Sequence, residues 1–303
     1  MLNHYHKQSE ITRAYIQMHI SILLWGATGV LGKGIDLSEN LLVWYRVIIT
    51  SISLFIFAMV TRQSLKVPRQ YLFSIITVGT ILTVHWLFFY GAIKYSNVSI
   101  TLSIFSSSSL FSALLEPIIT GKKFDKRELI YSTMGMAGIG IIFYTGGSAN
   151  YAGIFMGLLA ALTSALFNIL NKKIVTHVPS ITVSFYEIFT GLVLLTLTMP
   201  FYVHYIHPSK ILPSTSDWVL LFILALGCTH ITMILSLNAL RYLTAFTMNL
   251  SLNLEPVYGI ALAFIIFGEN KTLGPGFFIG TLLIMLSVIL HSYFAGRKTV
   301  LDV

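Results

Sequence analysis

Charge and cysteine are scarce in this chain. Charged residues make up 10% of its 303 residues, against about 25% in a typical soluble domain, and Cys228 is the only cysteine. A single cysteine excludes an internal disulfide and a thiolate metal cluster. The four aspartates all lie outside the long apolar stretches: Asp36, Asp125, Asp217 and Asp302. An intramembrane aspartyl protease, which needs two facing aspartates, is therefore disfavoured.

Several catalytic motifs are also missing. The sequence has no G-x-S-x-G elbow, no H-E-x-x-H zinc motif and no phosphate-binding loop. These gaps argue against a hydrolase and against an ATP-driven pump within this chain. We therefore expect no enzyme activity, no cofactor and no metal.

Apolar residues are abundant instead, at 55% of the chain. A bilayer core of about 30 Å needs about 20 apolar residues per helix. Ten stretches approach this length: Ala14–Leu31, Leu41–Val60, Tyr71–Lys94, Val98–Thr120, Leu129–Thr145, Ala152–Lys172, Ile181–Tyr205, Trp218–Leu240, Ala245–Phe267 and Gly274–His291. The sequence therefore predicts an all-α membrane protein with ten transmembrane helices.

The basic residues indicate an orientation. With the N-terminus inside, the inner segments hold Lys7, Arg13, Arg62, Lys66, Arg69, Lys122, Lys123, Lys126, Arg127, Lys172, Lys173, Arg241, Arg297 and Lys298. The outer segments hold Lys33, Lys94, Lys210 and Lys271. Because lysine and arginine concentrate on the cytoplasmic side, we expect a plasma (cell inner) membrane protein with both termini cytoplasmic. We attribute the net charge of +8 to orientation and contact with anionic lipids, not to nucleic acid.

An internal repeat divides the chain into two halves. When Ala92 is placed over Ala239, Tyr95 falls on Tyr242, and the matches continue at Leu115/Leu262, Ile118/Ile265, Ile119/Ile266 and Gly121/Gly268. This register sets five spans against five. Because five is odd, the second copy enters the membrane upside down. We predict a 5+5 inverted repeat with halves 1–148 and 149–303, an arrangement suited to alternating access at a midplane site.

The ten spans and their motifs resemble the drug/metabolite transporter superfamily, and within it the EamA-type permeases. The resemblance covers nearly the whole chain and rests on Trp25-Gly26, Arg46, Ala92-Ile-Lys-Tyr95, Glu255-Pro256 and Gly268-Glu269. The first half departs from the pattern, because Gly121-Lys-Lys123 stands where such repeats often carry Gly-Glu, and Glu116-Pro117 comes late in its span. The resemblance implies a secondary transporter, often an exporter, of small polar metabolites such as amino acids or nucleosides.

A polar stripe marks the ninth span. Thr244, Thr247, Ser251, Glu255 and Tyr258 follow a spacing of three or four residues, which places them on one face of a regular helix. Glu255 lies near the midplane, where an ionisable side chain costs about 2.5–3.5 kcal/mol to insert and usually faces a cavity or the bundle interior. The alternative is a protonated glutamate that only joins helices through hydrogen bonds.

Two histidines and a tryptophan share this depth. We expect His85, His230 and Trp25 to form the substrate site with Glu255 and Tyr258. Glu255 is the leading candidate for carrying a coupling proton, assisted by His85 or His230. The alternative for each histidine is a neutral ring bonded to a backbone carbonyl. The alternative for Trp25 is simple packing within the bundle.

Four further polar residues within the spans are secondary candidates: Arg46, Glu187, Glu116 and Asn168. Arg46 has two readings, binding a carboxylate or extending to the interface. The other three suit an inner vestibule, or ordinary bonds between helices.

The sequence thus favours a transporter, an exporter or exchanger, of an amino acid or related zwitterion. Nucleosides, vitamins and lipophilic drugs are alternative substrates, and a membrane receptor is a weaker alternative. The glycines of the fifth and tenth spans, including Gly135, Gly138, Gly276 and Gly280, suit either a scaffold within the chain or the seam of a homodimer.

Overall fold

A computed structural model describes residues 2–96, 98–143, 151–258 and 275–301. These residues are almost entirely helical. Their elements are α1 (Leu2–Gly26), α2 (Thr28–Gly34), α3 (Glu39–Val60), α4 (Arg69–Tyr95), α5 (Val98–Phe105), α6 (Ser108–Thr120), α7 (Lys126–Phe143), α8 (Tyr151–Val175), α9 (Ser180–Ile206), α10 (Thr215–Phe222), a π-helix (Ile223–Ile231), α11 (Thr232–Leu240), α12 (Ala245–Ser251), a 3-10 turn (Leu252–Leu254) and α13 (Pro275–Leu301).

Among the described residues, six segments are long and apolar enough to cross a membrane: Gln8–Gly34, Glu39–Val60, Arg69–Tyr95, Tyr151–Val175, Ser180–Ile206 and Thr215–Leu240. The apolar helices Ser108–Thr120 and Phe278–His291 are shorter. The predicted fourth span is interrupted at Ser106 and Ser107, where α5 gives way to α6. The predicted ninth span is described only as far as Tyr258. The all-helical membrane class is therefore supported, and the count of ten spans stays a prediction.

Large apolar side chains cover the outside of the bundle. Phe73, Phe155 and Phe201 expose 80%, 63% and 67% of their surface. Exposed apolar surface on this scale is costly in water and is satisfied by lipid tails. With the six long apolar segments, it identifies an integral membrane protein.

Close contacts between helices fix the bundle. The helix α4 lies along α8 and also contacts α9, while α1 lies against α11. Glycines allow the closest approaches, since a Cβ on Gly191 would come within 2.5 Å of the Thr83 Oγ1. On the far side α7 and α13 lie side by side, and a Cβ on Gly138 would lie 2.7 Å from the Gly280 carbonyl oxygen. The glycines of these two helices thus pack within one chain, which is the scaffold alternative; a homodimer stays a prediction.

The polar stripe of the ninth span is not one continuous face. The 3-10 turn Leu252–Leu254 interrupts the α-helix, and it advances about 120° per residue instead of 100°. Thr247 consequently bonds His291 of α13, with 2.8 Å between its Oγ1 and the histidine Nε2, while Glu255 turns toward the centre of the bundle. The stripe prediction was wrong because it assumed a regular helix.

Candidate substrate cavity

A partly open cavity occupies the centre of the bundle, with about 700 Å³ free of protein atoms when the open solvent at its mouth is included. It is bordered by side chains from α1, α3, α4, α8, the π-helix and the ninth predicted span. Five of the predicted site residues line it: Trp25, Arg46, His85, Asn168 and Glu255. The structure therefore brings these five candidates to one cavity, and their role in binding substrate stays a prediction.

Arg46 is the most strongly anchored residue in the lining. Its side chain is 1% exposed, and its guanidinium lies over the Trp86 ring, with 4.1 Å between Cζ and the ring centroid. Its Nε donates to Thr229 Oγ1 at 2.6 Å, and its Nη1 donates to the Tyr90 hydroxyl at 2.9 Å. Among the described residues no carboxylate forms an ion pair with it. Arg46 therefore stays inside the bundle, and its charge is not balanced by an acid.

The π-helix explains how two of these partners reach Arg46. A π-turn closes its hydrogen bonds one residue later than an α-turn, and such turns recur at functional sites. Thr229 Oγ1 donates to the Leu224 carbonyl, five residues earlier, at 2.7 Å. The Cys228 carbonyl accepts a weaker bond from Arg46 Nη2 at 3.4 Å. The widened turn thus directs a hydroxyl and a carbonyl at the guanidinium.

Tyr90 is held in place by a glycine. A side chain at Gly32 of α2 would overlap the Tyr90 ring, so the ring fits only because Gly32 has none. Tyr90 is fully buried and fixes the Nη1 edge of Arg46. Sequence analysis missed this contact, because nothing in the sequence indicates that a tyrosine of α4 contacts Arg46 of α3.

Glu255 is the only carboxyl group that the described residues contribute to the cavity lining. It is 5% exposed, and within the described part of the chain it forms no hydrogen bond or ion pair. Glu255 and Arg46 both act electrostatically on Tyr90 and Cys228, so the two charged groups lie within reach of the same side chains. They do not pair with each other. The cavity therefore contains one basic and one acidic group that are both available to a third molecule.

His85 has a fixed tautomer. Its Nδ1 lies 2.9 Å from the Ala160 carbonyl oxygen, and because a carbonyl only accepts, the hydrogen sits on Nδ1. Nε2 is then left as an acceptor. The ring packs beside Phe89 and Phe105, which also line the cavity. The carbonyl-bonded alternative for His85 is thus present in the structure, together with a place in the cavity wall.

Asn168 is positioned from the ninth span. Its Nδ2 donates to Asn249 Oδ1 at 3.1 Å, and Ser164 Oγ donates to the same oxygen at 3.4 Å. Asn249 itself donates to the Ala245 carbonyl at 3.0 Å. This chain of bonds orients the polar part of α8 that borders the cavity.

Trp86, which follows His85 directly, also lines the cavity. The cavity is wide enough that both neighbours border it, and Trp86 supplies the face on which Arg46 stacks.

His230 and Tyr258 lie elsewhere. His230 Nδ1 is 2.7 Å from Ser53 Oγ, and its ring meets Phe57 edge-on, away from the cavity lining. Tyr258 is 3.0 Å from His19 Nδ1, in a separate apolar groove beside α1 and α13. The structure therefore does not bring these two residues to the other three primary candidates.

The two remaining acidic candidates are also outside the cavity. Glu116 Oε2 accepts from the Phe246 backbone N–H at 3.0 Å and lies 3.6 Å from Lys122 Nζ. It joins α6 to the beginning of α12. Glu187 is fully buried between helices, where Asn171 of α8 acts on it.

Comparisons with known proteins agree with this architecture. Two relatives from Bacillus subtilis (strain 168) are the uncharacterized transporters YxxF, 23% identical over 82% of this chain and 80% of the relative, and YoaV, 23% identical over 92% and 96%. A solved crystal structure of a protein has the same fold, with a TM-score of 0.77 and 17% identity over 95% of this chain and 99% of that one. The sequence pattern of the EamA-like transporter family matches residues 12–144 and again 151–293. This chain belongs to the EamA-like transporter family.

Proposed function

We propose that this membrane transporter moves an amino acid with an apolar side chain, or a related zwitterion, by alternating access. One observation carries the proposal. Arg46 and Glu255 line one cavity, and within the described residues neither is paired with an opposite charge. Isolated buried charges are costly, so a pair of them is best explained by a ligand that supplies both countercharges.

The chemistry of an amino acid fits the two groups. A guanidinium has five N–H donors in a planar fork, of which three are engaged by Thr229, Tyr90 and the Cys228 carbonyl. The remaining donors suit a carboxylate. The Glu255 carboxylate suits the ammonium group. The walls around them are aromatic and apolar, and they favour an apolar side chain: Trp25, Trp86, Phe89, Phe105 and Phe167.

Alternating access is proposed from the division of the chain. The halves 1–148 and 149–303 each contain one match to the family pattern, at 12–144 and 151–293. Both halves contribute to the cavity, with Trp25 and Arg46 from the first and Asn168 and Glu255 from the second. A site between two inverted halves is the arrangement in which rocking exposes it to each side in turn. We propose ten spans in this arrangement and an exporter or exchanger.

Proton exchange is proposed to accompany transport. Glu255 is the leading carrier, because a carboxyl that binds the substrate ammonium exchanges it for a proton when the substrate leaves. His85 is the better-placed assistant, since His230 is bonded to Ser53 outside the cavity. Glu255→Gln is expected to abolish the part of the pH dependence of transport that arises from proton exchange at this carboxyl.

The orientation stays a proposal with a direct test. Both termini are placed in the cytoplasm by the distribution of basic residues. A cysteine at Ser148 is expected to react with an impermeant reagent outside whole cells, and one at Gln70 is not. The reverse pattern would overturn the orientation.

Counterflow in liposomes tests the substrate. Vesicles loaded with an unlabelled apolar amino acid should take up the labelled one, and Arg46→Met should lower the rate by at least about tenfold, since a hydrogen bond to a charged group is worth about 1.5–3 kcal/mol. Arg127→Met is the matched control, because Arg127 pairs with Asp125 outside the cavity. A wild-type protein that moves no amino acid but moves a lipophilic cation would overturn the substrate class.

A second readout needs no variant. Cys228 is the only cysteine and lines the cavity. A bound amino acid should slow its alkylation by a small maleimide. Equal alkylation rates at saturating and zero amino acid, across a panel of apolar side chains, would contradict binding at this cavity.

A further inference from the structure

Glu187 is a buried carboxyl that the substrate cavity does not use. It is 0% exposed, and within the described residues its oxygens make no hydrogen bond of ordinary geometry; the Asn171 amide is close enough to interact with the carboxyl. Asn171, which faces it from α8, is equally buried and has no partner of ordinary hydrogen-bond geometry for its amide nitrogen or oxygen. Ser184, one turn earlier on α9, has an unpartnered hydroxyl as well. Unpartnered buried polar groups are rare in folded proteins, so this cluster requires an explanation.

No positive charge balances Glu187. On α3, Arg46 is bonded at the cavity, and on α4, His85 is bonded to a backbone carbonyl. On α8, Lys172 donates to the carbonyls of residues 240 and 241, at 2.8 and 2.9 Å. Arg241, which follows α11, donates to the Val178 carbonyl. Among the described residues only the neutral Asn171 acts on the carboxyl.

The surrounding helices close the site. A Cβ on Gly79 of α4 would lie 2.7 Å from the Glu187 carbonyl oxygen, so the backbones of α4 and α9 are in direct contact there. A carboxylate without water, a countercharge or hydrogen bonds is strongly disfavoured in such a place. A carboxyl that holds a proton avoids this cost.

A symmetry between the halves adds a second argument. Arg46 is the eighth residue of α3 and Glu187 is the eighth residue of α9, and each follows a tyrosine, Tyr45 or Tyr186. The helix α9 is five residues longer than α3, and aligning the two helices at their first residues shifts the register by six residues from the one that matches Ala92 with Ala239. In an inverted repeat with this alignment the two positions lie at equal depths from opposite faces of the membrane. Arg46 borders the open cavity, and Glu187 is closed between packed helices. When the halves exchange roles, the surroundings of Glu187 are the ones that open.

We propose that Glu187 is a proton-binding site separate from the substrate cavity, closed in this conformation and opened to water in the opposite one. The inference rests on the proposed alternating access. It adds one transported proton per cycle to whatever exchange occurs at Glu255. It also gives Asn171 a role, since a side-chain amide accepts a bond from a protonated carboxyl and donates to an ionised one.

Labelling with N,N′-dicyclohexylcarbodiimide tests the site without any substrate. This reagent modifies protonated carboxyls in apolar surroundings. Mass spectrometry of the full-length protein in liposomes should find Glu187 modified, with the yield falling as pH rises, and no modification at this position in Glu187→Gln. Absence of modification at every pH would overturn the proposal, and protection by sodium at constant pH would replace the proton with a sodium ion.

Proton and amino-acid fluxes provide the second test. In Glu187→Gln we expect the ratio of protons to substrate to fall by one proton while amino-acid counterflow continues. Glu39→Gln, at the first residue of α3, is the matched control and should keep the wild-type ratio of protons to substrate. An unchanged ratio in Glu187→Gln would make Glu187 a structural residue. If wild-type protein moves no amino acid, the proposed function fails, while the labelling still decides whether Glu187 binds a proton.

Discussion

The contact of Gly79 with α9 gives the sharpest test of the packing. A Cβ added at Gly79 would lie 2.7 Å from the Glu187 carbonyl oxygen, 2.8 Å from its Cα and 2.9 Å from the Thr190 Cβ. Two of these are backbone atoms, which cannot rotate away. Gly79→Ala therefore has to push α4 and α9 apart.

The magnitude follows from two opposing effects. Overpacking of a close-packed interior costs about 1–3 kcal/mol. Replacing glycine by alanine inside a helix stabilises the helix by up to about 1 kcal/mol. Because the added Cβ clashes with backbone atoms, we expect the overpacking cost to dominate and Gly79→Ala to lower the free energy of unfolding by about 1–2 kcal/mol. Gly140 of α7 is the matched control: a Cβ there meets no atom within 4 Å, so Gly140→Ala should raise stability by up to about 1 kcal/mol.

Thermal unfolding of both variants in detergent measures the difference. About 1 kcal/mol shifts the unfolding temperature by about 2–4 °C in a protein of 150–250 residues and by less in this chain of 303 residues. The two variants should move in opposite directions from the wild type. Gly79→Ala should also speed carbodiimide labelling of Glu187, since a wider gap admits reagent. If Gly79→Ala unfolds at the same temperature as Gly140→Ala or above it, the close packing of α4 on α9 is refuted.

Three further predictions concern other parts of the molecule. Lys210 Nζ lies 3.2 Å from Asp36 and 2.6 Å from Asp217, so these ion pairs connect the two halves at one face. Lys210→Met should therefore speed alkylation of Cys228 by about two- to fivefold at low salt. A rate unchanged from wild type would show that these ion pairs do not limit access to the cavity. Burial raises the pKa of Glu128, so the folded state keeps its proton more tightly than the unfolded chain; stability should fall as pH rises above about 4.3, and Glu128→Gln should flatten this part of a pH series of unfolding temperatures. Arg46→Lys keeps the charge but loses the planar fork; counterflow should drop severalfold through a raised KM, and wild-type kinetics would argue against carboxylate binding.

Irregular helical turns, which the sequence does not reveal, position the groups around Arg46 and Glu255 in the cavity. The π-helix Ile223–Ile231 turns Thr229 toward Arg46, and the 3-10 turn Leu252–Leu254 separates Glu255 from the polar residues before it. Spacing arguments assume a uniform rotation of 100° per residue. Each irregular turn adds an offset, and the predicted stripe of the ninth span failed for this reason.

Residues that were predicted to share a depth occupy different places in the bundle. His85 borders the cavity, whereas His230 bonds Ser53 away from the cavity lining. Tyr258 follows Glu255 by three residues and contacts His19 instead. Depth is fixed by position along a helix, whereas the direction of a side chain depends on how that helix is rotated against its neighbours.

By itself the sequence determined the membrane class, the helical architecture and the family, because each depends on composition, run length and order along the chain. Only the tertiary structure decided which polar side chains meet. It placed Arg46 on Trp86, left Glu255 without an ion pair among the described residues of the same cavity, and packed the backbone of Glu187 against Gly79. These outcomes depend on contacts between helices distant in sequence, where a few tenths of an ångström at a glycine decide whether two backbones touch.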